Sequence, residues 1–289
     1  MTRSALVVVL ALAAGLASPA IREGGSLLAG GAEAAETPAA TLEEVLLIPE
    51  LLKVLQDEGI AYGDHVASEF FDGPPDSDWR ADVARIYDPA RIGPAFHTAF
   101  ETELARTGAD AAPMIAFFRS DLGQRILTLE LSARAAMIDD TVEEQAMAAL
   151  ERLEMKGDAR LGRIRAYVDA NHLVDMNLSS ALNANLAFLT SLSQSGGFGK
   201  EMPEDEILSQ VWSQEEELRL ETERWLLAFC LLAYSPLGDG DLQSYITFSE
   251  TPAGVALNRA LYAAYDGIFT DISRELGRSA GRRLGGTSL

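Results

Sequence analysis

The side chains able to do chemistry are few and scattered. Histidines stand at His65, His97 and His172, and Cys230 is the single cysteine. Neither an H-x-x-x-H nor an H-E-x-x-H spacing occurs, and Cys230 has no second cysteine to pair with. No metal-ligating pattern and no internal disulfide is therefore written. Each histidine reads as a surface or helix-end residue. Cys230 lies in "WLLAFCLLAY", where Leu, Phe and Ala surround it. It reads as a thiol packed like a small hydrophobe, because a reactive cysteine wants a base beside it and partial exposure. "GGFG" at 196–199 lacks the Lys-Ser and the preceding strand of a phosphate-binding loop, so no cofactor is expected. Ser120 as a nucleophile would need a histidine and an acid that no motif supplies.

Three weaker signals remain. Glu130 and Arg134 are four residues apart in a stretch otherwise written with Leu, Ile and Ala. They read either as an i,i+4 ion pair, worth about 0.3 kcal/mol, or as charges facing a groove. "ANHLVDMNLSSALNANLAFL" at 170–189 holds four asparagines. Asparagine is a poor helix former, so its density invites a reason: a polar groove, or caps and solvation. Glu130, Arg134, Asn183 and Asn185 form the candidate ligand-binding set. Glu215, Glu216, Glu217, Glu221 and Glu223 open a later helix. They complement its dipole on a solvated face, or present a surface to a basic partner.

The elements that must position these groups share a repeated corner. "RSDLGQRILTLEL" at 119–131 and "ETPAGVALNRALY" at 250–262 each place a small hydroxyl residue three positions before a glycine and an apolar-rich run. Ser120 or Thr251 ends one helix and caps the next, its oxygen accepting a backbone N–H. Pro252 suits the first helical position, where its missing N–H is no loss. Gly123 and Gly254 carry no Cβ, which lets the preceding helix cross close by. Phe117 and Phe248, three residues before the hydroxyl, are expected to fold under the corner. The glycines are 131 residues apart, and the same shift pairs Phe96 with Leu227, Phe100 with Leu231 and Ile126 with Leu257. The pattern implies a diverged duplication over roughly 80–145 and 211–276, each half closing its own helical hairpin.

The string Phe-Phe-Arg-Ser-x-x-Gly-Gln at 117–124 resembles a bacterial family of exported helical proteins catalogued only as a domain of unknown function. Its signature reads roughly F-[YF]-x-[ST]-x-x-G-[QK] before an apolar helix. "YITFSETPAGVALNRAL" resembles the same element, with Ser249 in place of the second aromatic and Val255 in place of Gln. The resemblance implies export and a helical fold, and it carries no catalytic residues to transfer.

Around the corners the chain is helical throughout. No segment alternates with period two, so the fold class is all-α, a multi-helix bundle. Thr41 to Glu44 spells a capping box, Pro49 opens a helix ending at Gly59, and another helix covers about 61–71. "DGPPDSD" at 72–78 breaks the chain, and Asp88-Pro89 restarts it. Phe96, Phe100 and Leu104 form one apolar stripe. The helix after Ser120 runs to about 155 or breaks at Asp139-Asp140-Thr141. Helices follow over about 158–174 and 176–194, then a loop at 193–203. Ser213 to Glu216 spells a second capping box, ahead of a stripe of Leu220, Leu227 and Leu231.

At the N-terminus, Arg3 precedes an apolar run from Ala5 to Leu16, and Ser18-Pro19-Ala20 follows. This reads as a signal peptide cleaved after Ala20, too short to span a bilayer. The expected organisation is 1–20 signal peptide, 21–40 flexible lead-in, 41–150 first helical half, 151–202 connecting helices, 203–284 second half and 285–289 tail. A formal net charge of −21 argues against nucleic acid and anionic lipid as partners. The leading functional expectation is a non-enzymatic periplasmic interaction or scaffold protein with an unknown protein partner. The alternative is a small-molecule or lipid binder with a pocket between the halves. A hydrolase is a distant third, since no catalytic constellation is written.

Overall fold

The structure, a computed structural model, describes residues 37–286. The signal peptide read over 1–20, most of the 21–40 lead-in and the end of the 285–289 tail lie outside them. Among the described residues every regular element is an α-helix.

Helix α1 (Pro38–Val45) is capped by Thr37, whose Oγ1 accepts the Ala40 N–H at 3.2 Å. The cap therefore falls four residues before the Thr41 box, because Pro38 already suits the first turn. Helix α2 (Ile48–Phe70) is one helix of 23 residues, not two. Gly59 does not end it. A Cβ there would lie 2.2 Å from the Tyr87 ring, just after α3 (Ser77–Ile86), so the glycine serves a close approach. Helix α4 (Pro89–Thr107) starts where expected, with Asp88 accepting the Ala90 N–H at 2.9 Å and Phe96, Phe100 and Leu104 buried. Helices α5 (Ala112–Arg119) and α6 (Asp121–Ala136) meet at Ser120. The apolar run then breaks, because Asp139 caps α7 (Asp140–Lys156) through the Thr141 N–H at 2.8 Å.

Helices α8 (Ala159–Ala170), α9 (Leu173–Gln194), α10 (Glu204–Trp212) and α11 (Glu215–Tyr234) follow, then α12 (Asp239–Ser249) and α13 (Pro252–Gly286). The second capping box does not form. Ser213 Oγ donates to the Gln210 carbonyl at 2.7 Å, and Gln214 takes the cap position without a side-chain bond. Leu220 is also displaced from its expected stripe: it is 58% exposed, while Leu218, Leu227 and Leu231 are buried.

The two corners have the same local geometry. Ser120 Oγ accepts the Gly123 N–H at 3.1 Å, and Thr251 Oγ1 accepts the Gly254 N–H at 3.0 Å. A Cβ on Gly123 or Gly254 would lie 2.3 Å from the carbonyl oxygen of Phe117 or Phe248. Phe117 and Phe248 are half-buried rather than folded fully inward, and they stack on each other at 4.0 Å between centroids and 7° between planes. The corners thus meet face to face.

Each corner joins two packed helices, α5 to α6 and α12 to α13, while the longer helices pair across the two segments. The most extensive partner of α4 is α13, with Phe96 edge-on to Tyr265 at 5.1 Å, whereas α11 packs on α6 and α7. The long helix one element before each corner hairpin, α4 or α11, thus packs on the helix that follows the other corner. An apolar stripe is satisfied by any complementary stripe, and its spacing does not name the partner. Helix α9 runs along α13 and also meets α8, α10 and α11. One hydrophobic core reaches from α1 to α13, with a small satellite of Leu178, Leu182, Ile207, Val211 and Leu218.

Candidate functional site: a buried carboxyl among three tyrosines

Helix α6 builds this site from its capped end. Gly123, Ile126, Leu127, Glu130 and Arg134 fall at helical intervals of three and four, so they share one face. That face is buried, and it carries Glu130 (0% exposed) and Arg134 (5%) inward with it. The surface ion-pair reading of these two residues is thereby corrected. Arg134 donates a two-pronged hydrogen bond to Glu58 of α2, Nε to Oε1 at 2.6 Å and Nη2 to Oε2 at 2.8 Å. Glu130 Oε1 accepts the Tyr234 hydroxyl of α11 at 2.6 Å, and its Oε2 has no hydrogen-bond partner.

Two further tyrosines complete the cluster. Tyr167 of α8 donates its hydroxyl to that of Tyr245 on α12 at 3.2 Å. The Tyr167, Tyr234 and Tyr245 rings lie 5.3–6.0 Å apart, and Tyr245 stacks on Phe117 of the first corner at 6.1 Å. Tyrosine suits such a place, because its ring fills apolar space while its hydroxyl serves a polar neighbour. Cys230, one turn before Tyr234, is fully buried beside them.

Burial dominates the electrostatics. It pushes the Glu130 carboxyl up to about 8, although the Tyr234 and Tyr245 hydroxyls pull the other way. An ionised carboxylate loses its hydration here, and hydroxyl dipoles restore only part of it. Burial, reinforced by the Glu130 charge, raises Tyr167, Tyr234, Tyr245 and Cys230 as well. Burial therefore favours the neutral form of each of these groups. Cys230 is a neutral thiol at physiological pH, as its apolar surroundings in the sequence imply.

The other candidate residues are not gathered here. Asn183 of α9 is exposed and donates to Asp266 of α13 at 3.3 Å, and Asn185 is half-buried. Two of the four asparagines of 170–189, Asn171 and Asn183, join helices. Asn171 Nδ2 donates to the Tyr167 carbonyl at 2.9 Å and to Ser249 Oγ at 3.0 Å, and the buried Asn177 donates to the Leu173 carbonyl at 2.8 Å. His97 Nδ1 lies 2.8 Å from Glu43 Oε1, half-exposed between α4 and α1, and His172 is exposed with positive φ at the start of α9. Among the described residues no group of three or more His, Cys, Asp or Glu side chains could hold a metal ion. The corner residues Phe117, Ser120, Gly123, Phe248, Thr251, Pro252 and Gly254 set the two helix turns, and Phe117 alone of them is seen to stack on the cluster, through Tyr245.

Sequence reasoning singled out Glu130 and missed Tyr167, Tyr234 and Tyr245. A usable signal existed for one of them: an acid on an otherwise apolar face needs buried donors, and Tyr234 closes the apolar stretch "WLLAFCLLAY".

The geometry defines an all-α bundle with a sealed polar cluster where two corners meet. Residues 106–152, which contain the first corner and Glu130, match the family described as "Uncharacterized protein conserved in bacteria (DUF2059)". The match covers the Phe117–Gln124 string that resembles a bacterial domain of unknown function. Neither the curated proteins nor the solved structures contain a match to the chain. Among the described residues no helix is long and apolar enough to cross a membrane.

Proposed function

We propose that the protein is a non-enzymatic interaction or scaffold protein, exported to the periplasm, that takes a basic protein partner on the outer side of α10 and α11. One contrast carries this reading. Glu130, the three tyrosines and Cys230 are buried in the core, whereas Trp212 is 60% exposed and Leu220 58% exposed. Those two side chains stand on helices led by Glu204, Asp205 and Glu206 and by Glu215, Glu216 and Glu217. Exposed large apolar side chains serve as interface anchors, and surrounding acid selects a basic counterpart. Export rests on the apolar run from Ala5 to Leu16. The ligand-binder alternative needs Glu130, Arg134, Asn183 and Asn185 in one pocket, and their separate partners give it no support.

A photo-crosslinking amino acid placed at 212 or 220, with the exposed polar position 98 on α4 as control, tests the reading in the native host. The expected result is one salt-sensitive protein adduct at 212 or 220 and none at 98. Equal labelling at 98, or none anywhere, would overturn it. The N-terminus of the periplasmic form is expected to begin after Ala20.

A further inference from the structure

We propose that Glu130 is a pH-operated latch, which as the neutral acid holds α6 against α8, α11 and α12 and on ionisation releases that junction. This inference stands apart from the partner surface above. Its basis is geometric. A fully buried carboxyl sits where four helices meet, with one oxygen bonded to Tyr234 and the other unpartnered.

The groups facing it are hydroxyls and a thiol: Tyr167 from α8, Tyr234 and Cys230 from α11, and Tyr245 from α12. Tyr265 of α13 lies farther off, toward Arg134 and Glu58. The cation on the same helix, Arg134, is engaged by Glu58 of α2. An ionised Glu130 would thus put a buried negative charge among oxygen and sulfur dipoles, and the packed helices must part or admit water to solvate it.

The sign of the pH effect follows by linkage. The folded state holds this proton up to about pH 8, while the unfolded chain releases it near 4.5. Between those values the folded state binds more protons, so stability falls as pH rises. The contribution is flat below the lower value and fully lost above the upper one. Within the window the unfolding equilibrium constant rises by up to about tenfold per pH unit from this group alone.

The test compares the wild-type chain with Glu130→Gln and Tyr234→Phe from pH 5 to 9. Amide hydrogen exchange is followed by mass spectrometry and corrected for intrinsic pH dependence, with infrared detection of the protonated carboxyl. The wild type is expected to lose a carboxylic-acid band near neutral to mildly alkaline pH. Over the same range, exchange in α6, α8, α11 and α12 should rise about tenfold. Glu130→Gln, an uncharged isostere, should lack both changes. Tyr234→Phe removes a donor that favours the ionised form, so its transition should move to higher pH. That shift reads the latch even if Glu130→Gln folds poorly. A carboxyl already ionised at pH 6, a pH-dependent rise in exchange that persists in Glu130→Gln, or an unmoved transition in Tyr234→Phe would overturn the proposal.

Discussion

The corner at Ser120 and the corner at Thr251 are nearly the same object locally, yet they deliver different helices to the core. Each has a hydroxyl cap on a glycine N–H, a glycine pressed against the preceding carbonyl, and a phenylalanine stacked on its counterpart. Past the corner they diverge. Helix α6 carries Glu130 and Arg134 inward, and the positions 131 residues later on α13 are Leu261 and Tyr265. The same elbow therefore directs a polar face on one side and an apolar one on the other. Local hydrogen bonding fixes the angle between helices, and the side chains beyond it select the environment.

The largest effect that could break this comparison is expected at its most unequal pair. Arg134→Ala should destabilise by about 3–5 kcal/mol, because it strands the Glu58 carboxylate and leaves a void. The Tyr265 hydroxyl, by contrast, is buried without a hydrogen-bond partner. Tyr265→Phe should be neutral or slightly stabilising, within about 0.5 kcal/mol. Urea unfolding of both variants checks the contrast, and equal losses would show that the two helices are anchored alike.

Next in size come the glycines. Gly123→Ala and Gly254→Ala force a methyl group into a backbone carbonyl, so each should cost about 2–3 kcal/mol despite the better helix propensity of alanine. Thermal melts of the two variants should give matching shifts. A tolerant Gly254 beside an intolerant Gly123 would show that only the first corner is tightly closed.

The smallest effects sharpen the likeness. Ser120→Ala and Thr251→Ala each remove one cap bond and should each lose about 1 kcal/mol. Gly substitutions at the same positions should lose only a few tenths. Chemical denaturation of the four variants would separate cap from packing.

Much of the fold was legible from residue spacing. A period-four apolar stripe marked α4, and Asp88-Pro89 and Ser120 marked helix starts where they occur. Cys230 was readable as buried because every neighbour in its helix is apolar. Other signals misled for identifiable reasons. Gly59 looked like a helix end, yet its missing Cβ answers the Tyr87 ring, which arrives from 28 residues away. Leu220 looked like part of a stripe, but Leu218 and Thr222 are the residues that face inward there. Glu130 was visible as an oddity and not as a site, because its partners come from α8, α11 and α12.

Residue order alone determined that the chain is helical and that Ser120 and Thr251 turn it. These properties depend on neighbours a few residues apart, through caps, propensity and periodicity. Tertiary structure decided that α4 lies on α13 and α11 on α6, that Phe117 stacks on Phe248, and that Arg134 answers Glu58. It also decided that burial raises the Glu130 carboxyl above the ordinary carboxylate range. Which groups desolvate a carboxyl depends on helices brought together from opposite ends of the chain, and spacing along one helix cannot specify them.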